Sequence, residues 1–542
     1  MNTVTSANLT ANLHLLTPEF ALAAFALAIF AIDLFLPNQR KELLGWLSAL
    51  GLVVLAVVSV LMLAGEKESL YDGLLAVDRF SLFFKVFFMG IGVFIILSSI
   101  DFVRQHLDHP GEFYGLLLFS VLGMNLMAMS RELLTAYISL ELLSFSLYVM
   151  VAYALGNAKS NEGSLKYIII GALSSAILLY GLSMIYSTLG VTKFDAIRIA
   201  LSDLNGASPA LWAGLALLIA GLGFKLAAVP FHMWAPDAYE GAPLPVTAYL
   251  AIASKAAAFA LVLRLVAEAF VPVTDRWDQW QVIIVILAAV SMVVGNLVAL
   301  AQSNLKRLMA YSSIGHVGYI LAGIAVLAPD SLLGANGVIF YLVGYSVTSM
   351  VVFAALIAFF NATGQEEIPD LAGLADRQPF LAMAVAVGLF SLSGLPIFVG
   401  FTIKFYLFTA VANEGYLWLA GLAILTSLIS LYYYLQVIRQ MYIQPAPAAA
   451  SEGAEDSSEG AADSPSDHSQ PNADSTPEFD DEHTHTPAHH EPATDFVALT
   501  RPSVALIAVV FVGLVATVAL GVYPAPLLEL VEGASAAILP GG

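Results

Sequence analysis

Apolar runs of roughly 20 residues recur along the whole chain, separated by short polar turns; coiled as α-helix, each matches the ~30 Å hydrocarbon core of a bilayer. The pattern predicts 14 membrane spans, near residues 18–37, 43–64, 80–100, 112–130, 132–154, 165–189, 210–239, 243–271, 280–302, 308–328, 334–361, 379–412, 416–438 and 503–523. The expected fold class is therefore all-α, a polytopic membrane protein. Two spans are long and interrupted. The seventh breaks at Pro230, just after Lys225, and the twelfth breaks in SGLPIFVG, around Pro396 and just before Lys404. Proline removes a backbone donor, and such a break is tolerated at bilayer depth only where protein buries it or where it lines a cavity.

The two breaks also suggest a repeat. Spans 4–8 and 9–13 are sets of five crossings, each with its broken helix in fourth place. Five is odd, so the two sets run in opposite senses, the inverted-repeat plan of many transporters. The expected division is 1–111 for the first three spans, 112–271 and 280–443 for the two repeats, 444–495 for a linking loop and 496–542 for the last span.

Composition agrees with a membrane chain and narrows its chemistry. Hydrophobic residues make up 59% and charged residues 11%, against about 25% charged in soluble domains. With no cysteine, the chain holds no thiolate-bound iron–sulfur cluster and no disulfide. Neither a P-loop nor a dinucleotide fingerprint occurs, and no cofactor and no nucleic-acid partner is expected for it. The start, MNTVTSANLTANLHLL, lacks the basic region of a secretory signal, so the first span is expected to be retained.

The net charge of −20 is mostly local, because 13 acids and no Lys or Arg lie between Glu452 and Asp495. That segment, Pro445 to Thr494, is rich in Ala, Ser, Pro, Asp, Glu and His and is expected to be a disordered loop. Its His483, His485, His489 and His490 offer a metal ion ligands, against the plainer reading of a solvated linker. Elsewhere Lys and Arg fall more often in the loops that would be cytoplasmic if both termini lie outside, which favours that topology.

Six Lys or Arg residues lie within spans: Lys85, Lys166, Lys225, Lys255, Arg264 and Lys404. Lys85, Lys166 and Arg264 are near span ends, where snorkelling is the simpler role. Lys225, Lys255 and Lys404 have apolar sequence on both sides, and charge at that depth usually faces a bundle interior or wet cavity with a function attached. The matching acid is Glu141, in a stripe with Tyr137, Ser144 and Tyr148 at helical spacing. Desolvation favours the neutral form of a lysine and a carboxylate neighbour favours the charged form, so a lysine that gains or loses that neighbour can load and release a proton. A static ion pair joining helices is the alternative. His316 shares its helix face with Ser312 and Tyr319, as a relay or a packing residue, and His232 lies in the first break. Asp237, Glu240 and Glu268 suit solvated or capping roles, and Trp212, Trp234, Trp277 and Trp280 suit interfacial anchors.

The stretch GLGFKLAAVPFHMWAPDAYEGAPLPVTAYLAIASKAAAF resembles the antiporter-like, proton-pumping membrane subunits of respiratory complex I. ISLELLSFSLYVMVAY, EGSLKYIIIGALSSAILLYG, NLKRLMAYSSIGHVGYILAG and LSGLPIFVGFTIKFYLF support the likeness, which covers most of the chain from the fifth to the twelfth span. Within that family, position 404 resembles the members with lysine rather than glutamate in the twelfth helix, and no long lateral helix is expected after the last span. The resemblance implies 14 helices in two inverted five-helix repeats. It implies that Glu141 and Lys225 form the fifth- and seventh-helix pair, that Lys255 connects, that Lys404 stands at the exit and that Lys166 is a further functional lysine. The acidic histidine-bearing loop departs from the bacterial pattern.

The resulting expectation is a proton-translocating, non-redox subunit of an NADH:quinone oxidoreductase in a bacterial inner membrane. Its path would run through Glu141, Lys225, Lys255, His316 and Lys404, with Lys166 contributing. Flavin and iron–sulfur clusters are expected in partner subunits, and the partners are other complex I membrane subunits, antiporter-like neighbours among them, and the lipid bilayer. The alternatives are a stand-alone or Mrp-type cation/proton antiporter and a scaffold whose charges are static pairs.

Overall fold

A computed structural model of the chain describes residues 12–154, 156–204, 208–445 and 502–539, without the side chains of 274–278. The acidic, histidine-bearing segment lies outside the described residues. The helices are α1 Thr17–Phe35, α2 Glu42–Leu63, α3 Arg79–His106, α4 Pro110–Met129, α5 Leu133–Val151 and α6 Ala158–Leu189. Next come α7 Phe194–Asp203, α8 Pro209–Leu226, α9 Trp234–Gly241, α10 Leu244–Phe270, α11 Thr274–Ala299 and α12 Leu305–Ala325. The last are α13 Leu333–Thr363, α14 Pro379–Ser393, α15 Val399–Asn413, α16 Leu417–Tyr442, α17 Val504–Val522 and α18 Ala525–Ser535.

Thirteen of the described helices are long and apolar enough to cross a membrane, and α14 with α15 make up the interrupted twelfth crossing. The chain is a polytopic helical membrane protein, and the 14 expected spans are all present. Three short elements escaped the hydrophobic pattern: α7, α18 and a hairpin of β1 Glu68–Leu70 with β2 Leu75–Val77. Tyr71, Asp72 and Gly73 turn the hairpin with positive φ, and Lys193 donates to Asp72 across it.

The helices are layered by burial. The apolar core of α10 is wholly buried and α12 and α13 nearly so, while α2, α16 and α17 show most of their apolar surface outward. A helix that is apolar all round and surrounded by others is the centre of a bundle. Close approach comes from small residues: a Cβ on Gly295 of α11 would stand 2.4 Å from the Gly315 nitrogen of α12. α10 is also irregular, with π-helical turns at Leu250–Ser254, directly before Lys255, and at Val266–Phe270. π-turns inside α-helices commonly mark functional positions.

Several charges sit differently from expectation. Lys85 does not snorkel. It is 1% exposed and 2.6 Å from the Glu19 carboxylate, which joins α3 to α1 inside the bundle. Arg264 does not snorkel either. It is fully buried and grips both oxygens of Asp78 at 2.8 Å, with Glu268 at 3.1 Å one turn along α10. Glu268 is buried and not solvated, and takes a second donor, Arg131, at 2.7 Å. Asp78 also caps α3, accepting from the Ser81 amide and completing a capping box. The four residues tie α10 to α3 and to the start of α5. Trp234 and Trp280 are buried among helices and not anchored at the interface; Trp234 stacks on Tyr167 at 4.4 Å between centroids. In each case the side chain near a span end is covered by neighbouring helices, so the route to the interface is closed.

Removing one member of a buried ionic group strands the others, at a cost of about 3–5 kcal/mol. Arg264→Leu is therefore expected to lower the thermal midpoint of the detergent-purified protein sharply. Asp78→Asn added to Arg264→Leu should recover part of the loss, and equal midpoints for wild type and Arg264→Leu would refute the role.

Candidate functional site

The site is a line of buried side chains through the middle of the bundle. It begins on α5, where Glu141 is held by the Ser175 hydroxyl of α6, which donates at 2.6 Å. The Lys225 ammonium lies 3.5 Å from Glu141, beyond a tight pair, and instead donates to the Ser144 hydroxyl at 2.7 Å and reaches the Tyr148 hydroxyl at 3.3 Å. The stripe predicted on α5 thus points at Lys225 through Glu141, Ser144 and Tyr148. Gly171 of α6 leaves room for the Tyr148 hydroxyl, which a Cβ there would meet at 2.2 Å.

Lys225 sits in the last turn of α8, which ends as Ala227 turns to φ 59°. The chain then folds back through the Val229–Pro230 cis peptide and restarts as α9. The Ser291 hydroxyl of α11 accepts from the Val229 amide at 2.9 Å, and the Trp234 indole donates to the Phe224 carbonyl at 2.9 Å. Protein therefore satisfies the broken backbone, as bilayer depth demands. His232 lies in this break with a buried Nδ1 that has no hydrogen-bond partner among the described residues.

Lys255, on α10 directly after its first π-turn, donates to the Ser313 hydroxyl of α12 and lies 5.7 Å from the centre of the Tyr239 ring. One turn further along α12, His316 is buried and bonded through Nδ1 to the Tyr341 hydroxyl of α13 at 2.7 Å. Its ring packs on Tyr345 and Tyr319 at 4.9 and 5.7 Å between centroids. Tyr319 in turn lies 5.5 Å from the Lys404 ammonium. His316 is thus the spatial link between Lys255 and Lys404. Lys404, on α15, donates to the Leu392 carbonyl at 2.6 Å and to Ser427 of α16 at 2.8 Å. The Leu392 carbonyl belongs to the last turn of α14, whose orphan carbonyls favour a cation.

Lys166 stands apart from this line. Its side chain is 43% exposed and paired with Glu162 at 2.6 Å and Asp237 at 2.8 Å. Asp237 and Glu240 on α9 both bind Arg307, and Glu240 also binds Lys159, so these two acids are bridged between elements and not merely solvated. Lys166 belongs to a charged cluster at one end of α6, α9 and α12. The sequence reading missed Ser175, Ser313, Ser427 and Tyr341; the signal available was only a small or aromatic polar residue on an apolar helix.

A helical bundle with two broken helices and a buried row of lysines defines a class, the ion-translocating membrane proteins of antiporter type. A family model described as NADH:quinone oxidoreductase/Mrp antiporter, transmembrane, matches residues 130–430. NADH-quinone oxidoreductase subunit N of Moorella thermoacetica is 42% identical over 437 residues, covering 81% of this chain and 90% of that protein. A chain of respiratory complex I from Thermus thermophilus superposes with a TM-score of 0.71 at 30% identity, over 95% of this chain and all of the other. The Mrp complex from Dietzia sp. DQ12-45-1b contains a chain of the same fold, TM-score 0.75 at 23% identity, over 96% and 98% of the two chains. The chain belongs to the family of antiporter-like membrane subunits of NADH:quinone oxidoreductase, on the subunit N branch.

One position in the second break is testable by itself. Gly394 closes α14 at φ 91°, and a Cβ there would lie 3.0 Å from Lys404 Cδ. Gly394→Ala combines a left-handed backbone penalty of about 1–2 kcal/mol with displacement of that lysine. A lowered thermal midpoint together with reduced proton pumping is expected from the purified complex. Unchanged values of both would show that the break has slack.

Proposed function

We propose that this chain is a proton-translocating, non-redox membrane subunit of a bacterial NADH:quinone oxidoreductase, in the inner membrane with both termini outside. The observation that carries the reading is the Glu141–Lys225 geometry. At 3.5 Å, with Ser144 as a nearer partner for the ammonium, the pair is neither closed nor separated, and a small displacement makes or breaks it. A closed pair favours the charged lysine and an open one favours release of its proton.

In this reading protons pass from Lys225 to Lys255, across His316 and on to Lys404 through buried water, and Glu141 sets the charge state of Lys225. Residues 112–271 and 280–443 act as the two inverted repeats. Lys166, in the cluster with Asp237 and Arg307, acts at the end of the path and not within its central line. Flavin and iron–sulfur clusters reside in partner subunits, and the neighbours in the bilayer are the other membrane subunits, antiporter-like ones included. Redox energy from those partners reaches this chain as a change in electrostatic field or in packing at Glu141.

The second reading is an Mrp-type cation/proton antiporter, favoured by the shared fold with the Dietzia chain. The identity of 42% to subunit N against 23% to that chain supports the first. Purification in mild detergent separates them, since flavin- and iron–sulfur-bearing partners should co-isolate with this chain. Lys225→Ala and Glu141→Gln are expected to leave an assembled complex whose proton pumping per NADH is strongly reduced. Full pumping by assembled Lys225→Ala would overturn the proposal, and sodium-dependent exchange by the isolated chain would favour the second reading.

A further inference from the structure

A second set of buried polar groups lies beside the lysine line in the second repeat. Asn296, on α11, is 1% exposed and faces Gly315 of α12, where a Cβ would stand 2.7 Å from the amide nitrogen. The glycine makes room for this one side chain. The Asn296 nitrogen donates to the Met292 carbonyl at 2.7 Å and to the Tyr319 hydroxyl at 3.2 Å. Its oxygen accepts from the Tyr433 hydroxyl of α16 at 3.1 Å.

The direction of each bond is fixed by chemistry. A carbonyl only accepts, so the atom that meets Met292 is the nitrogen, and the oxygen is left for Tyr433. Thr426 of α16 gives its single hydroxyl proton to the Leu422 and Ala423 carbonyls, at 2.9 and 3.1 Å. In the 3.2 Å bond between Tyr319 and Thr426, Tyr319 is therefore the donor. Both N–H groups of Asn296 and the protons of Tyr319, Thr426 and Tyr433 are thus committed.

Asn296 stands between two hydroxyl groups. On one side, Tyr319 and Thr426 lie at the Lys404 end of the line: the Tyr319 ring is 5.5 Å from that ammonium, and Thr426 precedes Ser427, which accepts from it. On the other side, Tyr433 packs on Tyr434 at 4.5 Å between ring centres, and Tyr434 shares a hydrogen bond with Ser312 of α12. Ser312 lies seven residues into α12, and Tyr434 lies eight residues before the end of α16. At 1.5 Å per residue both are roughly 10–12 Å from those helix ends, which face the cytoplasm in the topology proposed above. A hydroxyl row carries protons only where each member takes one on one side and releases another on the other. The carboxamide does not: its oxygen only accepts hydrogen bonds and its nitrogen only donates them.

We propose that Asn296 is a positioning residue that insulates the Lys404 end of the line from the Tyr433–Tyr434–Ser312 group, so that protons brought to Lys404 do not flow back towards the face where α12 begins. The inference rests on the proton path proposed above and adds a barrier to it. Leucine, of nearly the same shape, would also stop a proton, but it would leave Tyr319 and Tyr433 without the partner that orients them.

The test uses the purified complex that contains this chain, in sealed proteoliposomes. A pH gradient is imposed without NADH and its decay followed with a trapped pH dye; pumping and NADH oxidation are then read on the same vesicles. Asn296→Asp supplies a carboxyl that takes a proton on one oxygen and releases one from the other. Asn296→Ser, a smaller change, leaves room for a hydroxyl and a water that relay. Each is expected to speed the decay several-fold and to lower the protons pumped per NADH. Asn296→Leu should keep the slow decay of the wild type while losing thermal stability, and Tyr433→Phe added to Asn296→Asp should restore slow decay. Slow decay in both Asn296→Asp and Asn296→Ser would overturn the inference. So would an equal leak in Asn296→Leu, which marks a packing defect, or a leak that survives Tyr433→Phe. The path reading fails separately, through full pumping by assembled Lys225→Ala.

Discussion

An ammonium group inside a hydrocarbon-thick bundle has lost its water, and every feature of the central line follows from replacing that water with protein oxygen. Lys225 is met by Ser144, Tyr148 and Glu141, Lys255 by Ser313, and Lys404 by Ser427 and the Leu392 carbonyl. Among the described residues only Lys225 of the three has a carboxylate within 4 Å. Neutral oxygens compensate a buried charge incompletely. For the proposed role, a stronger set of partners would make a better scaffold and a worse carrier.

The two broken helices are part of the same solution. Lys225 precedes its break and Lys404 follows its own, yet both come to the carboxyl end of a half-helix. Lys225 is in the last turn of α8, and Lys404 reaches back to the last turn of α14. Carbonyls freed at a helix end carry partial negative charge, and placing that end at bilayer depth gives a cation a partner without adding a titratable acid. The breaks supply polarity to the interior where it is needed.

Much of this was legible in the residues. Length and hydropathy gave the spans, proline clusters gave both breaks, and helical spacing on α5 picked out the stripe that faces Lys225. The misreadings share one cause. Lys85, Arg264 and Glu268 lie near span ends, and such a charge has two ways to avoid hydrocarbon: reach the interface or find a partner. Glu19 lies on a different span from Lys85, and Asp78 lies 186 positions from Arg264, so no local pattern announces either partner. Which way is taken depends on helix packing, and packing here covers all three. The same holds for Trp234 and Trp280, whose indoles suit either an interface or a buried stack. Lys166 shows the reverse, since a lysine two turns into its helix ends up in a partly exposed ionic cluster because α6 begins seven residues earlier than its apolar run.

The ionic groups at the periphery then have a physical role with respect to the line. Asp78, Arg264, Glu268 and Arg131 fasten α10 to α3 and the start of α5, and α10 carries Lys255 some two and a half turns before Arg264. Lys159, Lys166, Asp237, Glu240 and Arg307 fasten α9, just beyond the first break, to α6 and α12. Between these fixed points lie Lys225, the first break, and Lys255 with the π-turn before it. Charges paired with carboxylates at 2.7–3.1 Å hold these helices together, whereas Lys225 has its carboxylate at 3.5 Å and a hydroxyl closer. The proposed movement of protons by small changes in distance needs both: ionic groups that hold the helices in place, and lysines whose partners are near enough to matter and far enough to be lost.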